Sequence, residues 1–184
     1  AGMHRLWKDR LVSKLKPGPG CQHLDVAGGT GDVAFRVLRA IRTAELTSLR
    51  PVKTQPGVVV LDINPDMLQV GKARSLDADL DSSKLTWIEG NAEELPVPDE
   101  SFDSYTIAFG IRNCTHVDKV LQEAHRVLKK GGQLMVMEFS KLEMEPLQRA
   151  YDAYSFSVIP AMGQAIAGDR DSYQYLVESI RKFP

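Results

Sequence analysis

The sequence predicts an α/β fold, a largely parallel sheet with helices on both faces, in one domain spanning residues 1–184. Three observations carry that expectation. Short apolar strands alternate with amphipathic stretches at helical spacing. A glycine-dense turn, GGTGD at 28–32, joins the first strand to the helix that follows it. The residues with evident binding chemistry cluster just beyond the carboxyl ends of strands, where open parallel sheets hold their ligands.

The elements follow in order. QHLDV (22–26) reads as a strand and 31–42 as a helix; VVVLDI (58–63) is a buried strand, followed by a helix from Pro65 to Ser75. LTWIEG (85–90) is a third strand, and SFDSYTIAF (101–109) a fourth whose strand proper begins near Asp103. Val117, Val120, Leu121, Ala124, Val127 and Leu128 recur at helical spacing, so 117–129 is an amphipathic helix. Gly131 and Gly132 are expected to stop it before a fifth strand, QLMVMEF (133–139). Parallel strands joined this way take right-handed connections. Residues 43–57, TAELTSLRPVKTQPG, interrupt the alternation and read as a surface insertion. The tail 144–184 reads as helical and aromatic, with Tyr151, Tyr154, Phe156, Tyr173 and Tyr175.

Composition narrows the function classes. With 184 residues and 43% hydrophobic content, the chain suffices for a sizeable core. Its 23 basic and 24 acidic residues nearly cancel, so the field that nucleic-acid binding needs is missing. Cys21 and Cys114 lie far apart without metal spacing and read as reduced core thiols of an intracellular chain. The four histidines show no ligand spacing, so no metal is expected. No apolar run approaches the ~20 residues that span a bilayer, and no signal peptide opens the chain.

The turn DVAGGTGD carries the first chemistry. Gly28, Gly29 and Gly31 permit positive φ and a close backbone approach, and the helix beyond offers free N–H groups. GTGDVA (29–34) also satisfies the dinucleotide pattern, so a nicotinamide or flavin ligand stays open. Two acids favour S-adenosyl-L-methionine. Asp25, just before the turn, can help hold a cationic amino-acid moiety, and Asp32 would repel a pyrophosphate at the helix N-terminus. Asp32 is also simply a first-turn acid favoured by the helix dipole. Asp62 ends the second strand, where a carboxylate can grip both ribose hydroxyls; Asn64 and Pro65 already supply the capping chemistry of the next helix. Asn91 and Ala92, after the third strand, can meet an adenine edge, although as bare residues they would make an ordinary turn.

At this point the motifs become specific. LDVAGGTGD, LDINPDML, GNAEELPVPDESFD, FGIRN, RVLKKGGQLMVMEFSK and YDAYSFSVIPAMG…DSYQYLVESI together closely resemble the UbiE/COQ5 family. These are C-methyltransferases of ubiquinone and menaquinone biosynthesis with a Rossmann-like class I S-adenosylmethionine-dependent methyltransferase fold. The resemblance runs from MHRLWK to the last residues apart from 43–57. It implies Thr30, Asp62, Asn91 and Ala92 as cofactor contacts and a polyprenyl benzoquinol as substrate. It further implies other quinone-biosynthesis subunits as partners, peripheral contact with a membrane, a possible homodimer, and a place at the matrix side of the mitochondrial inner membrane, or the cytoplasm in a bacterium. Family members carry more chain at both ends, including a last helix and two closing strands. The fifth strand is therefore expected to have an open edge, and cofactor binding to survive better than turnover.

The expected reaction sets the remaining candidates. An aromatic ring carbon attacks the sulfonium methyl, so in-line positioning does most of the work and loss of a quinol proton makes the carbon nucleophilic. Arg112 stays protonated and so serves not as a base but to stabilise a phenolate or orient a water; a salt bridge to a nearby acid is its ordinary alternative. Asn113 can hold the loop or bond a substrate oxygen, and His116 can accept a proton or be incidental. Phe156 reads as core, whereas the tail's family match makes Tyr154 a wall over the quinol ring, with an apolar groove for the prenyl chain under 144–166. Two other readings stay open: an NAD(P)-dependent oxidoreductase, and a non-catalytic cofactor-binding scaffold of a biosynthetic complex.

Overall fold

The computed structural model describes residues 3–49, 57–77, 80–139, 174–175 and 177–180. It falls into two compact units, 1–137 and 138–184. The first holds α1 (Met3–Leu15), β1 (Gln22–Val26), α2 (Asp32–Thr47), β2 (Gly57–Asp62), α3 (Pro65–Asp77), β3 (Leu85–Glu89), β4 (Phe102–Ala108), α4 (Val117–Val127) and β5 (Leu128–Met137). All five strands are parallel, in the order β3-β2-β1-β4-β5. The order reverses between β1 and β4, which opens a crevice at the carboxyl ends of those two strands.

Alternation along β1 sorts the two faces. Leu24 and Val26 point one way and are fully buried, whereas Cys21, His23 and Asp25 point the other. On that second face α1 and α2 bring Leu11, Val12, Leu15, Val33, Phe35, Val37, Leu38 and Ile41 against Val58 and Val60 of β2. Right-handed crossovers put α2 and α3 together on that face and α4 on the opposite one. Helix α4 buries Val120, Ala124 and Val127 and leaves mostly polar residues, with Leu121, outside. Apolar burial of about 1.5–3 kcal/mol per large side chain holds both layers to the sheet.

Helix α1 had no counterpart in the sequence reading, because its N-terminal half leaves His4, Arg5, Leu6 and Trp7 exposed and blurs the stripe. Lys8 secures it by an ion pair to Asp32 at 2.8 Å, and Asp9 by one to Arg36 at 2.7 Å. Two boundaries move. Helix α2 runs through Thr47, so residues 43–47 belong to it rather than to a surface insertion; 50–56 lie outside the described residues. The fifth strand starts at Leu128, immediately after α4, and Gly131 and Gly132 lie inside it instead of stopping the helix. Phe102 pairs with Leu128 but Ser104 already pairs with Gln133, so the extra residues form a bulge, with Gly131 at φ 82°.

Tyr105 on β4 is fully buried, and among the described residues its hydroxyl meets no hydrogen-bond partner. An unmet buried hydroxyl costs roughly 1–3 kcal/mol. Tyr105→Phe should therefore stabilise the chain by about 1 kcal/mol, a rise in Tm of roughly 2–4 °C for a domain of this size. A melting curve of the variant that falls below the parent's would contradict it.

In the second unit, residues 174–175 and 177–180 are helical; Gln174 Nε2 donates to Glu178 Oε1 at 2.9 Å, and Val177 is buried. These positions fit the helical reading of the tail. Tyr151, Tyr154, Phe156 and the groove expected under 144–166 lie outside the described residues. No helix among the described residues is long and apolar enough to cross a membrane.

Candidate active site

A cavity of about 440 Å³ lies at the carboxyl ends of β1, β2 and β4 and beside the turn after β3. Of the predicted residues, Gly29, Asp62, Asn91, Ala92 and Asn113 line it, together with Ala27, Ile63, Asn64, Met67, Glu93, Phe109, Gly110, Cys114 and Thr115. Among the described residues the wall carries two carboxylates and no lysine or arginine.

Asp62 organises one side. Its Oδ2 accepts from the Gly29 N–H at 2.8 Å and its Oδ1 from the Asn64 N–H at 2.9 Å, so the end of β2 is tied to the glycine turn. Asn64 caps α3, its Oδ1 accepting from the Asp66 and Met67 N–H groups at 3.0 and 3.3 Å. The capping role expected of Asn64 is thus filled, and Asp62 stays at the cavity wall. Across from it, Asn91 Oδ1 accepts from the Glu93 N–H at 3.0 Å. Glu93 Oε1 in turn accepts from the Thr115 and His116 N–H groups at 2.7 and 2.9 Å, bracing the turn after β3 against the start of α4. Sequence reasoning missed Glu93, because its partners lie over twenty residues away.

The glycines divide by role. Gly29 has φ 54°, the region that favours glycine, and a Cβ there would meet only the movable end of Met67, Cε at 3.3 Å, before Asp62 Oδ2 at 3.9 Å. Gly28 and Gly31 answer to packing instead: a Cβ on Gly28 would come within 2.7 Å of Val60 Cγ1, and one on Gly31 within 2.7 Å of Trp87 Cη2. Two of the three glycines in the turn are therefore needed by the fold whatever it binds. Thr30 faces away from the cavity, toward the groove beside α1, and its Oγ1 accepts from Arg74 at 2.5 Å.

Two acids lie apart from the cavity as well. Asp25 is buried beneath the turn, Oδ2 accepting from the Ala34 N–H at 3.1 Å and Oδ1 from the Thr106 hydroxyl at 2.7 Å. Burial pushes its pKa up to about 7, although those two hydrogen bonds and nearby Lys8 oppose the rise. Asp32 pairs with Lys8 at 2.8 Å and Arg36 at 2.6 Å; burial works against its charge, but these cations win and hold its pKa down to about 2. With its charge met in this way, Asp32 is the first-turn acid and gives no argument against a pyrophosphate.

The loop after β4 forms the remaining wall. Phe109 has φ 60°, its N–H donates to the Met137 carbonyl at 2.7 Å, and its ring lies 6.3 Å from that of Trp7 on α1. Arg112 is half-buried and donates through Nη1 to the Phe109 carbonyl at 2.6 Å, behind the cavity wall. Asn113 is exposed on the wall, and His116 is exposed beyond it. Trp7 and Phe109 gave no signal in sequence, since their meeting depends on where α1 lands.

With this geometry the chain matches the ubiE/COQ5 methyltransferase family over residues 1–184. It belongs to that family. It is 55% identical over 188 residues to the mitochondrial 2-methoxy-6-polyprenyl-1,4-benzoquinol methylase of Oryza sativa subsp. japonica, covering 100% of this chain and 64% of that protein. The proteins of the same name in Arabidopsis thaliana and Homo sapiens are 54% and 50% identical, with 100% of this chain covering 65% and 62% of theirs. The chain thus spans slightly less than two thirds of the curated relatives it matches. Among solved structures, an S-adenosylmethionine-dependent methyltransferase from Aquifex aeolicus superposes with TM-score 0.61 at 18% identity, covering 75% of this chain and 66% of that one. A putative methyltransferase from Methanococcus maripaludis gives TM-score 0.62 at 15% identity, over 98% and 77%. These likenesses establish the class I methyltransferase fold that the family's first motifs implied.

Proposed function

We propose that this chain is the cofactor-binding and ring-binding part of a C-methyltransferase. Its substrate is a polyprenyl benzoquinol of the 2-methoxy-6-polyprenyl-1,4-benzoquinol type, in ubiquinone biosynthesis. The observation that carries the reading is the charge of the cavity: among the described residues Asp62 and Glu93 line it and no lysine or arginine does. Such a wall suits a cation and leaves a diphosphate without a counter-charge, which favours S-adenosyl-L-methionine over a dinucleotide. The match to a methyltransferase family over residues 1–184 supports the same choice.

In this reading Asp62 takes the ribose hydroxyls, Asn91 and the Ala92 N–H meet the adenine edge, and Ile63 and Met67 cover its face. Gly29 lets the backbone come close, while Gly28, Gly31, Thr30 and Asp25 shape the turn from behind. When bound, the cofactor supplies an electrophilic methyl on a sulfonium. The chain's own task is to hold a ring carbon in line with that methyl and to stabilise the oxyanion beside it. We assign the second part to Arg112, released from the Phe109 carbonyl, with Asn113 on a substrate oxygen and Tyr154 over the ring. The names of the relatives support the quinol and a mitochondrial location. Partner subunits of a quinone-biosynthesis complex, contact with the matrix face of the inner membrane, and a homodimer complete the proposal.

Calorimetric titration with S-adenosyl-L-methionine and with NADH separates the two cofactor classes; heat only with NADH would reject the reading. Arg112→Ala is expected to lower kcat for methyl transfer to a demethylated quinol by roughly 10²–10³-fold, the usual loss for an oxyanion donor. Cofactor affinity should stay unchanged and Arg112→Lys should recover part of the rate. An undiminished kcat would leave Arg112 as a brace of Phe109 only.

A further inference from the structure

The sheet contains a buried chain of polar side chains that cofactor binding does not use. On the face under α2, Cys21 Sγ lies 3.4 Å from Ser104 Oγ, and Ser104 Oγ lies 2.7 Å from His23 Nδ1. His23 Nε2 lies 3.0 Å from Thr106 Oγ1, and Thr106 donates to Asp25 Oδ1 at 2.7 Å. His23 and Thr106 have no exposed surface, and Asp25 and Ser104 almost none. One end is the carboxylate under the glycine turn. The other end opens on a polar cavity of about 390 Å³ at the amino ends of the strands, lined by Cys21 and Ser104 with Asp103 and Lys129.

Donor bookkeeping fixes the direction of every bond. Thr106 spends its one proton on Asp25, so its oxygen must accept from His23 Nε2–H. The neutral ring then accepts at Nδ1 from Ser104 O–H, and Ser104 accepts from the Cys21 thiol. Burial pulls the His23 pKa down to about 3, which keeps the ring neutral. If Asp25 takes a proton on Oδ1, it donates to Thr106 and the row keeps its hydrogen bonds by reversing, which leaves His23 protonated at Nδ1.

We propose that Cys21, Ser104, His23 and Thr106 form a proton relay that charges and discharges Asp25 beneath the glycine turn from the opposite end of the sheet. In the transfer, a hydronium ion in the lower cavity gives its excess proton to Cys21 and becomes water, as the thiol passes its own proton to Ser104. Ser104 protonates His23 Nδ1, Nε2 gives its proton to Thr106, and Thr106 gives its own to Asp25. One proton enters, one carboxylate is neutralised, and no imidazolium is needed. Asp25 is also the acceptor for the Ala34 N–H at the start of α2, so its charge state bears on the turn itself. The groups facing Asp25 are Lys8 from α1, Asp62 from β2, Tyr105 and Thr106 from β4, the Ala34 N–H from α2 and His23 from β1. Burial sets the carboxyl of Asp25 to titrate near neutrality, well above an ordinary aspartate and far from His23. The relay rests on the fold alone and not on the methyl-transfer reading.

The test is ¹⁵N-detected NMR of the histidine side chains in the full chain, with His23 assigned from its missing signal in His23→Gln. The expected result is the Nε2–H tautomer at about pH 8.5, replaced by the Nδ1–H tautomer at about pH 5.5, with no imidazolium in between, unlike a free histidine of pKa about 6.5. Thr106→Val should abolish the exchange and Thr106→Ser restore it. One unchanging tautomer in the parent chain, a ring that becomes charged near pH 6.5, or an exchange that persists in Thr106→Val would each overturn the relay. The parent titration decides even where a variant does not fold.

Discussion

Asp62→Asn is expected to raise the dissociation constant for S-adenosyl-L-methionine by roughly 10- to 100-fold, the loss of one hydrogen bond to a charged group at about 1.5–3 kcal/mol. The carboxylate accepts from Gly29 on one oxygen and from Asn64 on the other. An amide offers only one acceptor, so one of those N–H groups faces an N–H₂ and the end of β2 parts from the turn. The ribose loses its charged acceptor in the same step. Because Asn64 keeps capping α3 through its own side chain, the helix should survive and the circular dichroism stay that of the parent. Calorimetry checks the affinity. An unchanged affinity would remove Asp62 from the ligand's reach and return it to a role within the turn.

Gly31→Ala should cost about 2–5 kcal/mol of stability, from roughly 1–2 kcal/mol for a left-handed non-glycine residue and roughly 1–3 kcal/mol for overpacking. Gly31 has φ 77°, and the new Cβ would stand 2.7 Å from Trp87 Cη2 and 3.0 Å from Phe35 Cε1. Those rings already meet edge to face at 6.1 Å, and Gly71 of α3 also lies close against the indole. Urea denaturation reads the loss as a fall in midpoint at constant slope. Gly18→Ala is the control: nothing lies within 4 Å of its Cβ position, and the midpoint should not move. An equal midpoint for Gly31→Ala would show that the slot at Trp87 is looser than its atoms imply.

The two substitutions also separate what the glycine turn does. In the proposed reading Asp62 acts on the ligand through the strand end it shares with Gly29, whereas Gly31 packs on the core through Trp87. A sequence reader sees three glycines in four residues and assigns all of them to a ligand. Once β3 and α3 are in place, Gly28 and Gly31 prove to be packing positions, and only Gly29 opens on the cavity.

Among the described residues of the first unit, the five strands and three of the four α-helices were legible in the residues, because period-2 and period-3.6 patterns are written locally. The family, too, was legible, since FGIRN and the tail motifs are strings of residues. So was the place of Asp62, since a strand end followed by Asn64 and Pro65 states its own geometry. Other features came only with the tertiary structure: the early start of β5, the docking of α1, the brace from Glu93, the pairing of Asp32, and the neutral, hydrogen-bonded His23. Each of these is decided by a partner distant in the chain, through strand pairing, close packing or removal from water. A pattern of neighbours fixes what an element is; which charges are met and which side chains are sealed depends on what that element is folded against.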